Sequence, residues 1–406
     1  MTDQNALFAH ALGLTPPWRV TGIDFSKQEG RLNIHVDFEP GASFTCPVCG
    51  KPGAKAYDTG RQVWRHLDFF QYQAFIIARV PRVECKHGCG VRKIEVPWAH
   101  QDHGFTLLFE ARLMHLVKDM PVAAVAKLLN EYDTRLWRVL KHYVAAGRAR
   151  ADFSGVTRIG IDETSARKGH DYITSFVNLD KGTLLFATPG KAKDTLAAFV
   201  EDFVQHGGKL EAIKEVCCDL SPAFMAGIKE YLPQATIVLD RYHVVQIINQ
   251  ALDEVRRQES QETDLLKKTR YQWLKNPANL TSKQKASIET LSRCHLKTGR
   301  AYRIKLAFQD LFTQPDRESG EAHLKRWYFW ATHCRLQPMI QAAKTIKRHW
   351  EGVLGWFTSR ISNGLLEGTN SLLQAGKAKA RGYRNKANFI TISYLIAGNL
   401  DFGLPT

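Results

Sequence analysis

TRIGID (157–162), DYITSFVNLD (171–180), GTLLFATPG (182–190), DTLAAFVEDFVQH (194–206), IKEVCCD (213–219), SPAFMAGIKEYL (221–232) and ATIVLD (235–240) follow one another through the middle of this chain. The first three pieces are short and rich in β-branched and aromatic residues, which suits strands. DTLAAFVEDFVQH and SPAFMAGIKEYL carry apolar residues at helical spacing, and the runs between and after them are short and apolar enough to be buried strands. Strand, strand, strand, helix, strand, helix, strand predicts an α/β sheet that starts with an antiparallel meander.

Asp162 and Asp219 each close a short, buried-looking apolar strand. Asp162 follows Ile159-Gly160-Ile161, and Asp219 follows Val216-Cys217-Cys218, 219 − 162 = 57 residues later. Charge at the end of a buried strand needs a partner, unless it only caps the next turn or helix, as Asp219 would before SPAFMAGI. A third acid, Glu367, lies in SNGLLEGTNSLLQAGKAKARGYRNKANF (362–389), a Gly- and Asn-rich stretch that turns densely basic. Three carboxylates from two strands and a helix suit two magnesium ions, which activate a hydroxyl nucleophile and stabilise the leaving oxygen of a phosphodiester. Asp240 and His243 form a further acid-x2-His pair at the end of the last strand. It either supports Asp219, positions a substrate or is a simple strand-end turn. Glu163, beside Asp162, alternates to the other face of its strand and is at best auxiliary.

From Arg241 to about Ser359 the sequence is helix-like and basic, as an inserted subdomain would be. Residues 321–390 hold 12 Lys or Arg against three Glu. Over all 406 residues, 56 Lys plus Arg oppose 40 Asp plus Glu, a net charge of +16, with a sequence pI near 9.5. A polyanionic partner is implied, nucleic acid ahead of a membrane surface. Lys377, Lys379, Arg381, Arg384 and Lys386 would bring phosphate-binding charge next to Glu367, in a salt-sensitive and largely sequence-blind way. Trp327, Trp330 and Trp350 either stack on unpaired bases or fill a core. No stretch reaches the roughly 18–20 apolar residues of a membrane span, and MTDQNALFAHALGLTPP lacks the pattern of a secretory leader. A cytoplasmic protein is expected.

Four of the eight cysteines fall within residues 46–89. Cys46-x2-Cys49 and Cys85-x3-Cys89 supply four thiolates for a closed, structural zinc site, with His87 as an alternative to one of them. Cys217, Cys218, Cys294 and Cys334 are scattered and read as reduced core thiols. Around the pairs, residues 18–40 and 63–80 read as strands, so the zinc module is β-rich. From about Phe105, LLFEARLMHLV, a break at Asp119-Met120-Pro121, VAAVAKLLN and RLWRVLKHYV after Asp133-Thr134 give three short helices, the plan of a helix-turn-helix. On the third, Arg135, Arg138 and Lys141 would face DNA phosphates. The expected division is 1–17, an N-terminal segment without a readable motif; 18–100, the zinc module; 101–150, the helix-turn-helix; 151–240 and 360–406, two parts of the α/β core; and 241–359, the helical insertion.

GIDETSARKGHDYIT, CCDLSPAFMAGI, VLDRYHVVQ and SNGLLEGTNSLLQAGKAKARGYRN, behind a CPVCG zinc finger and a helix-turn-helix, resemble bacterial insertion-sequence transposases of the ISL-three family. The resemblance runs from about Cys46 to Asn399. It implies a ribonuclease-H-like catalytic domain with an Asp-Asp-Glu active site, onto which Asp162, Asp219 and Glu367 map. The separation 367 − 219 = 148 is long, and the helical block accounts for it as the insertion such enzymes carry. Asp240-x2-His243 is similar to an acid-x2-His element of related transposases; if Asp240 were the second metal ligand, Asp219 would not be. The resemblance further implies two magnesium or manganese ions, terminal inverted repeats and target DNA as partners, a homodimer or larger assembly, and a place at the bacterial nucleoid. A non-catalytic DNA-binding regulator and a structure-selective nuclease on the same fold are the competing readings.

Overall fold

The computed structural model describes residues 4–167, 171–190, 193–359 and 364–405. Residues 168–170 of the motif after the first strand, and 360–363 before the Glu367 helix, lie outside them. The chain divides into two units, Met1–Ala149 with Leu400–Thr406, and Arg150–Asn399.

Alternation builds the first unit. In β2 (Arg31–Phe38) every second residue, Leu32, Ile34 and Val36, is buried, so one face meets the core. A helix, α1 (Gln4–Ala11), precedes β1 (Trp18–Ser26); after β2 come β3 (Ser43–Phe44), β4 (Ala54–Arg65), β5 (Gln73–Cys85) and β6 (Gly90–Lys93). The sheet order is β1-β2-β5-β4-β3, with β6 on the edge of β5. Residues 63–80, read as strand from their composition, cover the end of β4 and the start of β5. Between Arg65 and Gln73 the chain turns, with Phe69 and Tyr72 exchanging backbone hydrogen bonds of 2.9 and 3.0 Å, and β5 runs on through Pro81 to Cys85. Trp18, Ile34, Ile76, Trp64 and Trp98 lead the core between these strands.

The three expected helices are present as α2 (Leu107–Asp119), α3 (Val122–Leu129) and α4 (Asp133–Ala149). Thr106 caps α2 through its side chain, Pro121 starts α3, and Asn130 ends it in the left-handed conformation. Glu110, fully buried on α2, accepts a 3.0 Å hydrogen bond from Tyr143 of α4 and pairs with His103 at 2.7 Å. A buried carboxylate needs such partners, and here they tie α2 to α4.

In the second unit, β7 (Arg158–Arg167), β8 (Asp171–Asn178) and β9 (Thr183–Pro189) form the meander; α5 (Lys193–Gln205), β10 (Glu215–Cys218), α6 (Pro222–Tyr231) and β11 (Thr236–Leu239) follow. The order is β11-β10-β7-β8-β9. Within it β7, β10 and β11 are parallel neighbours, while β8 and β9 run antiparallel. On one face Phe176 of β8 stacks on Phe199 of α5, centroids 4.2 Å apart. From β11 the chain enters seven consecutive helices: α7 (Arg241–Glu259), α8 (Arg270–Leu274), α9 (Ser282–Ser292), α10 (Lys297–Gln309), α11 (Arg317–Thr332), α12 (Gln337–Arg348) and α13 (Trp350–Ser359). They share one continuous apolar core with the sheet, and α13 packs back on β11. Lys305 of α10 is fully buried and donates to the carbonyls of Trp273, Leu274 and Lys275, each at 2.9 Å. Trp327 and Trp350 belong to the core, whereas Trp330 is exposed. The other face of the sheet carries α14 (Gly364–Lys379) and α15 (Lys386–Ala397). Among the described residues no helix is long and apolar enough to cross a membrane.

Candidate active site and metal centre

Strand register decides which acids meet. Gly160 pairs with Cys217 across β7 and β10, and Cys218 pairs with Leu239 across β10 and β11. Continuing each register places Asp162, Asp219 and Asp240 in one row. Asp219 and Asp240 directly follow β10 and β11, whereas Asp162 does not end its strand as the sequence suggests: β7 stays paired with β8 and runs on to Arg167. Two residues on from Gly160, Asp162 faces the α14 side of the sheet.

Each aspartate is already held. Asp162 Oδ1 accepts the Glu163 backbone N–H at 2.7 Å, and Asn370 Nδ2 of α14 donates to Oδ2. Asp219 Oδ1 accepts from the Ser221 N–H at 2.9 Å, a local turn, while the helix-capping role falls to Asp240, which accepts from Tyr242 N–H at 2.6 Å. His243 Nδ1 lies 3.1 Å from Asp240 Oδ2. Asp162 is raised to about 6, chiefly by burial, with Asp240 and Asp219 contributing to the rise and the Glu163 N–H and His243 opposing it. The Asp240 hydrogen bond raises His243 above the ordinary imidazole value against its burial, and Asp162 and Asp219 add to the rise.

Helix α14 crosses β7 closely because Gly160 has no side chain. A Cβ there would sit 3.0 Å from Leu366 Cδ1 and 2.8 Å from Leu179 Cδ2. Leu366 at Gly160, Asn370 at Asp162 and Lys377, whose Nζ donates to the Ser165 carbonyl at 2.5 Å, mark the line of contact. Glu367 is exposed, one turn before Asn370. Among the described residues the four cysteines are the one group of three or more His, Cys, Asp or Glu side chains gathered closely enough to hold a metal ion; Asp162, Asp219 and Glu367 do not form such a group. Asn370 was missed in the sequence; its only signal was its place three residues after Glu367, on the same helix face.

Beside the line of contact an open cleft of about 690 Å³ is lined by Ala166, Gln374, Lys377, Arg381, Tyr383 and Arg384, among others. The basic run is not the tail of a single helix: α14 ends at Lys379, Arg381 and Arg384 sit in the connection, and Lys386 opens α15. In the first unit, Arg138 and Lys141 are exposed on α4. Arg135, expected to face solvent, is half-buried: it donates to Glu131 at 2.5 Å and to the Gly104 carbonyl at 3.2 Å, and lies over the Phe105 ring at 4.2 Å.

The cysteines gather as their spacing predicts. Cys46, Cys49, Cys85 and Cys89 form the one cluster of this kind among the described residues, with the Cys49 and Cys85 sulfurs 3.6 Å apart. Gly50 and Gly88 take the left-handed conformation (φ 69° and 85°) that turns each knuckle. His87 is not in the set; its ring Nδ1 lies 3.5 Å from Lys51 Nζ, and its backbone N–H, donating to Cys85 Sγ, pulls that thiol down to about 6. Four thiols with no other donor fit a closed structural zinc site.

A row of carboxylates across three parallel strands, beside a basic cleft, suits metal-assisted chemistry on a polyanion, and so defines a candidate nucleic-acid-processing enzyme. The chain belongs to the ISL3 family of insertion-sequence transposases, metal-dependent enzymes of the DDE type. The family's transposase domain matches residues 159–393, the helix-turn-helix domain of transposase family ISL3 matches 94–144, and the zinc finger of transposase IS204/IS1001/IS1096/IS1165 matches 42–89. The chain is 30% identical over 387 residues, 86% of each protein, to the transposase for insertion sequence element IS1557 of Mycobacterium tuberculosis. It is 24% identical over 388 residues, 93% of this chain and 95% of the relative, to the transposase for insertion sequence element IS1001 of Bordetella parapertussis.

Proposed function

We propose that the chain binds the terminal inverted repeats of its own insertion sequence and there cuts and rejoins DNA strands by two-metal phosphoryl transfer. The observation that carries the site is the row of Asp162, Asp219 and Asp240 on adjacent parallel strands, with α14 lying over it. The strand order supports a ribonuclease-H-like catalytic sheet, formed by 151–240 and the part of 360–406 that precedes Leu400, since Leu400–Thr406 belong to the first unit, and interrupted by the helices of 241–359. Asp162, Asp219 and Glu367 are the metal-holding carboxylates, and hard oxygens of this kind suit magnesium or manganese. When bound, the ions stabilise charge on the attacking and leaving oxygens. Asp240 and His243 hold a proton at Nδ1 beside the row, and the carboxylate of Asp240 supports Asp219. Water is the first nucleophile and the freed 3′-hydroxyl the second, so no protein–DNA covalent bond is required.

Lys377, Lys379, Arg381, Arg384 and Lys386 take the phosphates next to the cut, while the zinc module and the helix-turn-helix, with Arg138 and Lys141, select the ends. Pairing two ends calls for a dimer or larger assembly in the cytoplasm, at the nucleoid. The test is magnesium-dependent cleavage and joining on duplexes carrying the source element's ends. Cutting and joining are expected; cutting without joining would make the chain a nuclease, and binding without either a regulator.

The basic cleft carries its own prediction. Replacing Lys377, Arg381 and Arg384 together by alanine should weaken end DNA and unrelated duplex by similar factors, and lower the slope of log K against log salt by roughly 3, about 0.9 per lost phosphate contact. Binding titrations at several salt concentrations measure this. A loss confined to the element's ends would mean that these residues read bases.

A further inference from the structure

The α14 side chain in contact with Asp162 belongs to Asn370. Its Nδ2 donates to Asp162 Oδ2, while the other Asp162 oxygen is taken by the Glu163 backbone N–H. The second polar atom of the same amide, Asn370 Oδ1, is buried and has no hydrogen-bond partner. Buried acceptors of this kind are rare, and one at a functional site points to a partner other than the protein. This acceptor is a neutral oxygen one carbon away from a nitrogen that touches a carboxylate, which makes a hard cation its natural partner.

We propose that Asn370 is a ligand of the divalent metal, its side-chain oxygen binding the ion alongside the Asp162 carboxylate. The proposal rests on the reading of Asp162 as a metal ligand. It does not rest on Glu367, whose side chain is exposed. Residues 367 and 370 are neighbours on one face of α14, so a carboxylate and an amide oxygen can reach one ion from adjacent turns. The packing of Leu366 on Gly160 fixes the helix at the depth this requires. Turning the amide about its Cβ–Cγ bond exchanges nitrogen for oxygen with little change of shape. The same side chain can thus donate to Asp162 or offer an oxygen to a cation that Asp162 holds. A neutral ligand also adds an oxygen without adding to the repulsion among Asp162, Asp219 and Asp240.

The test is Mn2+ binding by the full chain, followed by the loss of the free-ion EPR signal, with thermal melting as a check on folding. Asn370→Ala and Asn370→Leu should raise the Mn2+ dissociation constant about 10- to 100-fold without lowering Tm. Asn370→Asp supplies an oxygen but no N–H donor, and should bind Mn2+ at least as tightly as wild type. If Asn370→Asp binds as weakly as Asn370→Ala, the amide acts as a donor that positions Asp162 and the proposal is overturned. Wild-type affinity in Asn370→Ala overturns it as well. Asp162→Ala separates the two levels: if it loses Mn2+ while Asn370→Ala does not, only the role of Asn370 fails. If neither variant changes binding, the metal-site reading of Asp162 fails first.

Discussion

Asp162→Ala should bind the element's ends with near wild-type affinity yet cleave and join them at least ~10³-fold more slowly, equivalent to about 4 kcal/mol of lost transition-state stabilisation. Binding survives because the proposed phosphate contacts come from Lys377, Arg381 and Arg384, which line the cleft and not the carboxylate row. Catalysis does not, because a metal held by fewer carboxylates is neither placed nor retained. Asp219→Ala and Glu367→Ala should behave in the same way. Asp240→Ala distinguishes the second ligand: it caps α7 and pairs with His243, so as a supporting residue it should cost less than Asp219→Ala. The reverse order, with Asp240→Ala inactive and Asp219→Ala still cutting, would move the second ligand to Asp240.

The same site sets a pH dependence. Burial, with Asp240 and Asp219 adding to it, brings Asp162 up to about 6 from an ordinary 3.8. The ionised carboxylate that a cation needs therefore dominates only above about pH 6. Metal-dependent cleavage should rise as pH passes through about 6, and the midpoint should fall as the metal concentration rises, since the cation competes with the proton. For folding the sign is opposite. A carboxyl group whose folded pKa lies above its unfolded value binds the proton more tightly when folded, so this group makes the chain more stable as pH falls from about 6 towards 3.8.

How much of this was legible in the sequence depends on whether the signal was local. Asp162 and Asp219 stood out because each ends a short apolar run, and the cysteine pairs because two thiols three or four residues apart are a local geometric statement. That Asp240 lies level with both could not be read locally, since it depends on the Gly160–Cys217 and Cys218–Leu239 pairings. Strand β4 was hidden for the same reason: AKAYDTGRQVWR shows no clean alternation and most of it is exposed, so its extended form comes from pairing with β5. Arg135 misled because its charge was visible, whereas its acceptors, Glu131 and the Gly104 carbonyl, were visible only in three dimensions. Asn370 was passed over because an amide carries no charge to mark it.

Removing zinc should abolish recognition of the element's ends while leaving the second unit folded. The four thiolates draw together two segments far apart in sequence, Cys46–Cys49 after β3 and Cys85–Cys89 at the turn from β5 to β6. The flanking strands β3 and β6 have only two and four residues, too short to hold these knuckles by hydrogen bonding alone. Four thiols at such close range repel one another once ionised unless a cation lies between them. In zinc-finger peptides a structural zinc contributes about 10–16 kcal/mol. The share needed here is smaller, because Trp18, Ile34, Ile76 and Trp98 give the sheet a core of its own. Cys46→Ser should therefore lower zinc content from one ion per chain to below about a tenth, melt the first unit earlier and bind the element's ends no better than a scrambled duplex. Salt-sensitive binding to any duplex should remain through the basic cleft. His87→Ala, by contrast, should keep its zinc, because the His87 ring lies outside the cluster. Full end recognition by Cys46→Ser would mean that the helix-turn-helix selects the ends alone; zinc lost from His87→Ala would mean that imidazole replaces one of the four thiolates.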